Sequence, residues 1–163
     1  MSIGLVNYAI KKLEEIGCII KKIKGFEMVN PKKSLVYWAS IHKLNIEKKF
    51  HVDKGVDEIE KSLPYKTRLT AFSGAKIYYN IYPADYSEVY VYCDVNDIKD
   101  RFDFGKGKEN LIVLKKDEHL FKFKKTPLAQ IFVDLWNINT WYAKDFLKNI
   151  GVKIDGILAG LGN

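Results

Sequence analysis

The run from Glu88 to Cys93 constrains the fold of this chain more than any other segment. Its central residues, Val89-Tyr90-Val91-Tyr92, are β-branched or aromatic and favour a strand. Because this run is apolar on both faces, we expect it to lie at the centre of a sheet. Asn110 to Leu114 predicts a second core strand, and Leu120 to Phe123 predicts a third, edge-like strand flanked by lysines.

Helical segments alternate with these strands. Asn30-Pro31 predicts the start of a helix that ends near His42, with Trp38 as a buried anchor, and Asp53 is expected to cap a short helix. Arg68 to Tyr79 predicts one helix, in which small residues at positions 71 and 73–75 allow a neighbour to approach closely. After Thr126-Pro127 we expect two more helices and a glycine-containing tail from residue 151 that frays. The fold class is therefore α+β, with a small mixed or antiparallel sheet covered by helices.

The stretch from Ser2 to Asn30 predicts a helix followed by a β-hairpin. Ser2 is a candidate N-cap, and Gly17 stands where a left-handed C-terminal cap is expected. Two short strands then turn at Lys24-Gly25. Apolar residues recur at helical spacing and form one stripe: Ile3, Val6, Ile10, Leu13 and Ile16. A helix that leads directly into a basic hairpin is typical of the second half of a winged helix.

The polar residues of this unit are those of a DNA-binding surface. The candidate contact residues are Asn7, Tyr8, Lys11, Lys12, Lys21, Lys22 and Lys24. Residues 1–33 hold seven lysines and three glutamates, which is +4 of the net charge of +7 for the 163-residue chain. The excess favours an anionic partner such as double-stranded DNA. The alternative is a solvated helix and a two-stranded ribbon that simply pack on the rest of the chain.

Several function classes find no support in the sequence. Cys18 and Cys93 lie in separate apolar runs, and the three histidines lack ligand spacing, so we expect neither a disulfide nor a metal site. We also expect no cofactor. No apolar run reaches membrane-spanning length and no signal peptide is recognisable, so we expect a cytoplasmic protein with no membrane partner.

Catalysis is also not indicated, and we expect no catalytic residues. Gly105 to Lys108 lacks the glycine spacing and the Lys-Ser/Thr ending of a phosphate loop, so we expect a charged hairpin loop there. A nucleotidyltransferase needs two carboxylates one residue apart on a strand, and no Asp-x-Asp occurs. Asp85 and Asp94 flank the central strand and keep a metal-dependent nuclease or nucleotidyltransferase open as a third alternative.

The serial order of segments resembles that of the AbiEi-type antitoxins and archaeal winged-helix transcriptional regulators. The helix-plus-hairpin unit comes first, and the similarity covers most of the chain. The later segments that carry it are Trp38-Ala39, residues 69–75 (Leu-Thr-Ala-Phe-Ser-Gly-Ala), Val89-Tyr90-Val91, residues 110–114 (Asn-Leu-Ile-Val-Leu), residues 126–135 (Thr-Pro-Leu-Ala-Gln-Ile-Phe-Val-Asp-Leu) and residues 143–147 (Ala-Lys-Asp-Phe-Leu).

This resemblance implies a partial winged helix over residues 1–30 and an α/β C-terminal domain over residues 31–163. It implies a DNA-binding regulator that opposes, or once opposed, a nucleotidyltransferase toxin. Thr126, Gln130 and Asp134 then match the polar positions of the family, and a buried hydrogen-bond network is an alternative role for them. The chain departs from the family because no helices precede the recognition-type helix. A homodimer, or an interaction module that docks a toxin-like protein, is therefore the alternative to DNA binding.

Overall fold

A computed structural model describes residues 3–161 and gives an α+β fold. The helices of this part are α1 Ile3–Glu15, α2 Pro31–Ile41, α3 Val56–Ser62, α4 Ala71–Tyr79, α5 Val95–Lys99, α6 Leu128–Trp136 and α7 Ala143–Leu161. Its strands are β1 Ile19–Lys21, β2 Phe26–Met28, β3 Ile46–Phe50, β4 Arg68–Thr70, β5 Val89–Cys93 and β6 Leu111–Lys115. Ser2, the expected N-cap of α1, lies outside the described residues. No helix within residues 3–161 has the length and apolar character needed to cross a bilayer.

The larger sheet has four strands in the order β3-β6-β5-β4. β5 and β6 run parallel, with Val89 opposite Leu111, while β3 and β4 pair antiparallel with β6 and β5 at the two edges. The expected central position of residues 89–93 is confirmed, since β5 has a neighbour on each side. The predicted sheet is thus of the mixed type.

Helices cover both faces of this sheet. On one face, Val89, Val91 and Cys93 form a cluster with Ile59 of α3 and Ile98 of α5. On the other face, Tyr90 and Tyr92 point toward the layer that contains α6. That layer holds the largest cluster of buried apolar residues, contributed chiefly by α4, α6 and α7. The sheet is therefore the middle of three layers, and the alternating side chains of β5 link the two cores.

The segment predicted as one helix from Arg68 to Tyr79 is in fact a strand followed by a helix. Residues 68–70 pair with residues 90–92 of β5, and α4 starts only at Ala71, whose φ is +48°. Three residues are too few for a period to distinguish strand from helix. The expected close approach is confirmed, because a Cβ on Gly74 would lie 3.0 Å from Ile131 Cδ1 of α6.

The N-terminal unit consists of α1 and the β1–β2 hairpin. Gly17 follows α1 with φ +69°, and Gly25 has φ +87° in the hairpin turn, as the sequence predicts for both. Cys18 and Ile19, where the hairpin begins, are buried, and the backbone N–H of Val29 donates to the carbonyl of Cys18. The unit joins α2 through Asn30, whose side chain caps that helix at Lys33 N.

Three sequence predictions about local structure are wrong. Residues 120–122 form a 3₁₀ turn instead of a strand, because the Asp117 carboxylate accepts from His119 N and starts a turn. Trp38 is 38% exposed and is no core anchor, since Ala39 is the fully buried residue of α2. The tail does not fray into a coil: α7 continues to residue 161, and burial of Ile150 holds its middle against the core.

Candidate functional site

The expected DNA-contact residues of α1 lie on the surface. Asn7, Tyr8 and Lys11 are all exposed. Tyr8 and Lys12 face α2, and the Lys12 ammonium lies 5.8 Å from the centre of the Tyr8 ring. The seven candidates thus divide into an outward helix face, two residues beside α2, and the lysines of the hairpin.

Most lysines of this surface are paired with glutamates. Lys11 Nζ and Lys12 Nζ lie 4.0 Å and 2.8 Å from Glu15. On the hairpin, Lys21 Nζ lies 2.5 Å from a carboxylate oxygen of Glu14, and Lys22 pairs with Glu27 at 2.9 Å. The hydrogen bond between Lys12 and Glu15 raises the pKa of the ammonium and lowers the pKa of the carboxyl. Lys24 has no acidic partner among the described residues.

The apolar stripe of α1 is only partly covered. Ile3 is 81% exposed and Val6 is 40% exposed, whereas Ile10 and Leu13 are half-buried. Beside them, α1 and α2 enclose a cavity of about 520 Å³. Its walls are mainly apolar and aromatic: Ala9 and Leu13 of α1, and Tyr37, Trp38 and Ile41 of α2. This face of the N-terminal unit is an exposed apolar surface of the kind that marks an interaction site.

The predicted polar positions Gln130 and Asp134 meet in a buried network. Gln130 Nε2 donates to Asp134 Oδ1 at 2.8 Å and to the Tyr92 hydroxyl at 3.2 Å. The Tyr92 hydroxyl donates to Asp134 at 2.9 Å, and the Thr70 hydroxyl donates to its Oδ2 at 2.5 Å. Asp134 is fully buried, and its carboxyl oxygens accept from each of these three side chains. Burial and the nearby carboxylate raise the pKa of Tyr92, so its hydroxyl stays a donor.

His42, at the end of α2, lies beside this network. Its Nε2 lies 3.4 Å from Asp134 Oδ1, but the atom lacks the geometry of a regular hydrogen bond. The sequence does not predict that His42, Thr70 and Tyr92 belong to the site. They lie on three separate elements, and each follows the local pattern of its own helix or strand, so no spacing links them to Asp134.

Thr126 is not part of the Asp134 network and contacts β4 and α4 instead. Its hydroxyl donates to the carbonyl of Leu69 at 2.6 Å, and its own carbonyl accepts from the Tyr79 hydroxyl at 3.0 Å. Thr126 therefore anchors the segment before α6 to β4, one residue from Thr70 of the Asp134 network. It does not cap α6 with its side chain, because Pro127 occupies the N-cap position.

The carboxylates of the nuclease alternative are separated by the central strand. Asp85 precedes β5 and accepts from the Tyr82 hydroxyl, while Asp94 follows β5 and caps α5 at Asn96 N. The five residues of β5 span about 13 Å at about 3.3 Å per residue. No group of three or more potential metal-ligating side chains occurs within residues 3–161. This arrangement does not favour a shared ion at these acids.

The basic loop at residues 105–108 closes over His51. The imidazole lies between two acceptors, with Nδ1 2.7 Å from the carbonyl of Lys108 and Nε2 2.9 Å from a carboxylate oxygen of Asp53. The carbonyl first, and then the carboxylate, raise the pKa of His51. Asp53 therefore binds the imidazole and does not cap α3, contrary to the sequence prediction, because the N-cap of that helix is Gly55. Gly107 permits this contact, since a Cβ there would lie 2.6 Å from the ring.

The surroundings of the Cys93 thiol disfavour its ionisation. The thiol is buried in the sheet, and burial raises its pKa to about 12, so it does not ionise near neutral pH.

Comparisons of the chain with protein-family models, with curated proteins and with solved structures find no match. The resemblance to the AbiEi-type regulators thus stays a prediction from the sequence.

Proposed function

We propose that this chain is a non-enzymatic, regulator-like protein that binds double-stranded DNA through α1 and the β1–β2 hairpin. The observation that carries the proposal is the free outer face of α1, where Asn7 and Lys11 are exposed beside a hairpin that bears Lys24. The ion pair between Lys21 and Glu14 joins hairpin and helix, so their lysines can act as one surface. Such a face is suited to a winged helix of the AbiEi type, in which the helix enters the major groove.

The ion pairs of this surface do not oppose the proposal. Solvent and salt screen exposed ion pairs, so phosphate groups can replace the glutamates as partners of Lys11, Lys12 and Lys22 at little cost. Each lysine that neutralises a phosphate releases counterions and makes binding dependent on salt. Lys24 can bind a phosphate without first releasing a glutamate, because it has no acidic partner in the part of the chain that the structure describes.

Fluorescence anisotropy with a labelled duplex at 50 and 200 mM salt tests this proposal. We expect binding that weakens as the salt concentration rises. Replacement of Lys11 and Lys24 by alanine should reduce the slope of log K against the logarithm of salt concentration by about 1.8, which is about 0.9 for each phosphate contact. The matched control is the double variant Lys99→Ala/Lys144→Ala, which removes two exposed lysines elsewhere. Absence of binding at 50 mM salt would exclude the function, and an equal loss in the control would exclude the surface.

A second function, docking of another protein chain, is favoured by the exposed apolar stripe. Ile3 and Val6 are exposed on α1, and the cavity between α1 and α2 has mainly apolar walls. A second copy of the chain or a toxin-like partner would cover these apolar groups. Sedimentation velocity tests the first case: we expect a dimer that dissociates in Val6→Glu. A monomer at 100 µM, together with no partner recovered by pull-down, would contradict this alternative.

A further inference from the structure

A polar cavity of about 510 Å³ lies above the Asp134 network. We call it, together with an adjoining cavity of about 240 Å³, the Trp38 cleft, because Trp38, Asp117 and Gln130 line both parts. Leu120 and Phe123 form an apolar wall of the smaller part. The larger part offers mainly polar groups. The combined volume is in the range of small-molecule sites, which is about 300–1,000 Å³.

The buried network fixes Gln130 at the floor of this cleft. Its Nε2 donates to Asp134 Oδ1 and to the Tyr92 hydroxyl. These contacts set the orientation of the amide oxygen Oε1 before any ligand arrives. A fixed acceptor of this kind selects for an N–H donor on the ligand at little entropic cost.

Trp38 supplies an aromatic wall. The side chain is 38% exposed, and the ring nearest to it among the described residues is His42, edge-on at 6.3 Å and 78°. No aromatic ring of residues 3–161 is stacked on the indole. A planar ligand can therefore stack there beside the fixed amide of Gln130.

The rim of the cleft carries both signs of charge and an amide. Lys116 is paired with Glu118 at 2.9 Å, and Asp117 lines both parts of the cleft. Asn45 lies on the same rim and can both donate and accept. An aromatic wall and amide groups that can read a ring edge are together the groups that recognise a nucleobase.

We propose that the Trp38 cleft binds a nucleobase, with its ring against Trp38 and its edge at Gln130 and Asn45. The nucleobase could come from a free nucleotide or from single-stranded nucleic acid, since both present the same groups. The cleft is separate from the outer face of α1, so this binding does not depend on the proposed binding of duplex DNA.

Isothermal titration calorimetry of the full chain tests the proposal. The ligands are the four ribonucleoside monophosphates, ribose 5-phosphate, and a short single-stranded oligonucleotide of mixed sequence. Trp38→Leu keeps an apolar side chain but removes the stacking face, and Trp38→Phe restores a ring. Trp141→Ala is the matched control, because Trp141 is 74% exposed and does not line the cleft.

We expect at least one nucleotide to bind, and Trp38→Leu to weaken it about 5- to 150-fold, as the loss of one stacked base does. Trp38→Phe should recover part of the affinity. Tighter binding of the oligonucleotide would identify a single strand as the source, and tighter binding of a mononucleotide would identify a metabolite. The proposal is overturned if no base-containing ligand binds at millimolar concentration, if ribose 5-phosphate binds equally well, or if Trp38→Leu binds like the control.

Discussion

Replacement of Asp134 by alanine gives the sharpest test of the buried network. Three donors lie 2.5–2.9 Å from the Asp134 carboxylate in the unmodified chain: the Thr70 hydroxyl, the Tyr92 hydroxyl and the Gln130 amide. The change to alanine removes this acceptor from all three. An unsatisfied buried donor costs about 1–3 kcal/mol, and rotation of the two hydroxyls keeps each near the lower value. We therefore expect the free energy of unfolding to fall by about 3–5 kcal/mol, a large part of the about 5–15 kcal/mol of a typical domain.

Asp134→Asn is the matched variant, because it keeps the size of the side chain and one acceptor oxygen. It should cost about 1–2 kcal/mol, and Thr70→Val, which removes one donor to the carboxyl group, about 1 kcal/mol. Urea unfolding followed by circular dichroism measures all three variants. The reasoning fails if Asp134→Ala stays within about 1 kcal/mol of the unmodified chain, or if asparagine costs as much as alanine.

Three further predictions concern packing and pH. The pKa of His51 is raised in the folded chain, so the imidazolium stabilises the fold below the unfolded pKa of about 6.5. This stabilisation is lost as the pH rises through the folded pKa. The loss of stability caused by His51→Gln, measured by urea unfolding, should therefore be larger at pH 5.5 than at pH 8.5. Gly107→Ala should abolish that difference, because its Cβ would displace the His51 ring. Gly74→Val should lower the free energy of unfolding by about 1–3 kcal/mol through overpacking against Ile131, and thermal unfolding would show no such loss if the contact were loose.

The sequence predicts well those parts of the fold that depend on local signals. Glycine at positions 17 and 25 determines the end of α1 and the hairpin turn, and both adopt the expected positive φ. The apolar run at β5 predicts the centre of the sheet for an equally simple reason. The sequence does not predict short elements well. The three residues of β4 lie in a segment whose sequence pattern predicts a helix, and their strand conformation depends on pairing with β5.

The site could be predicted only in part. Gln130 and Asp134 are four residues apart, so their contact on one face of α6 follows from helix geometry. The other partners come from residues 42, 70 and 92, and only the tertiary fold brings them to Asp134. Trp38 shows the same limit, because its place in α2 suggests burial while the packing of α2 against α6 turns the residue into a cleft wall.

Nuclear magnetic resonance of the ¹⁵N-labelled chain with duplex DNA tests the central claim most directly, because it shows which surface the DNA contacts. The account predicts shifts or broadening of amides in residues 7–12 and 21–25 at 50 mM salt, and smaller changes at 200 mM salt. Changes confined to the exposed lysines of β3, Lys48 and Lys49, or no change at all, would contradict it.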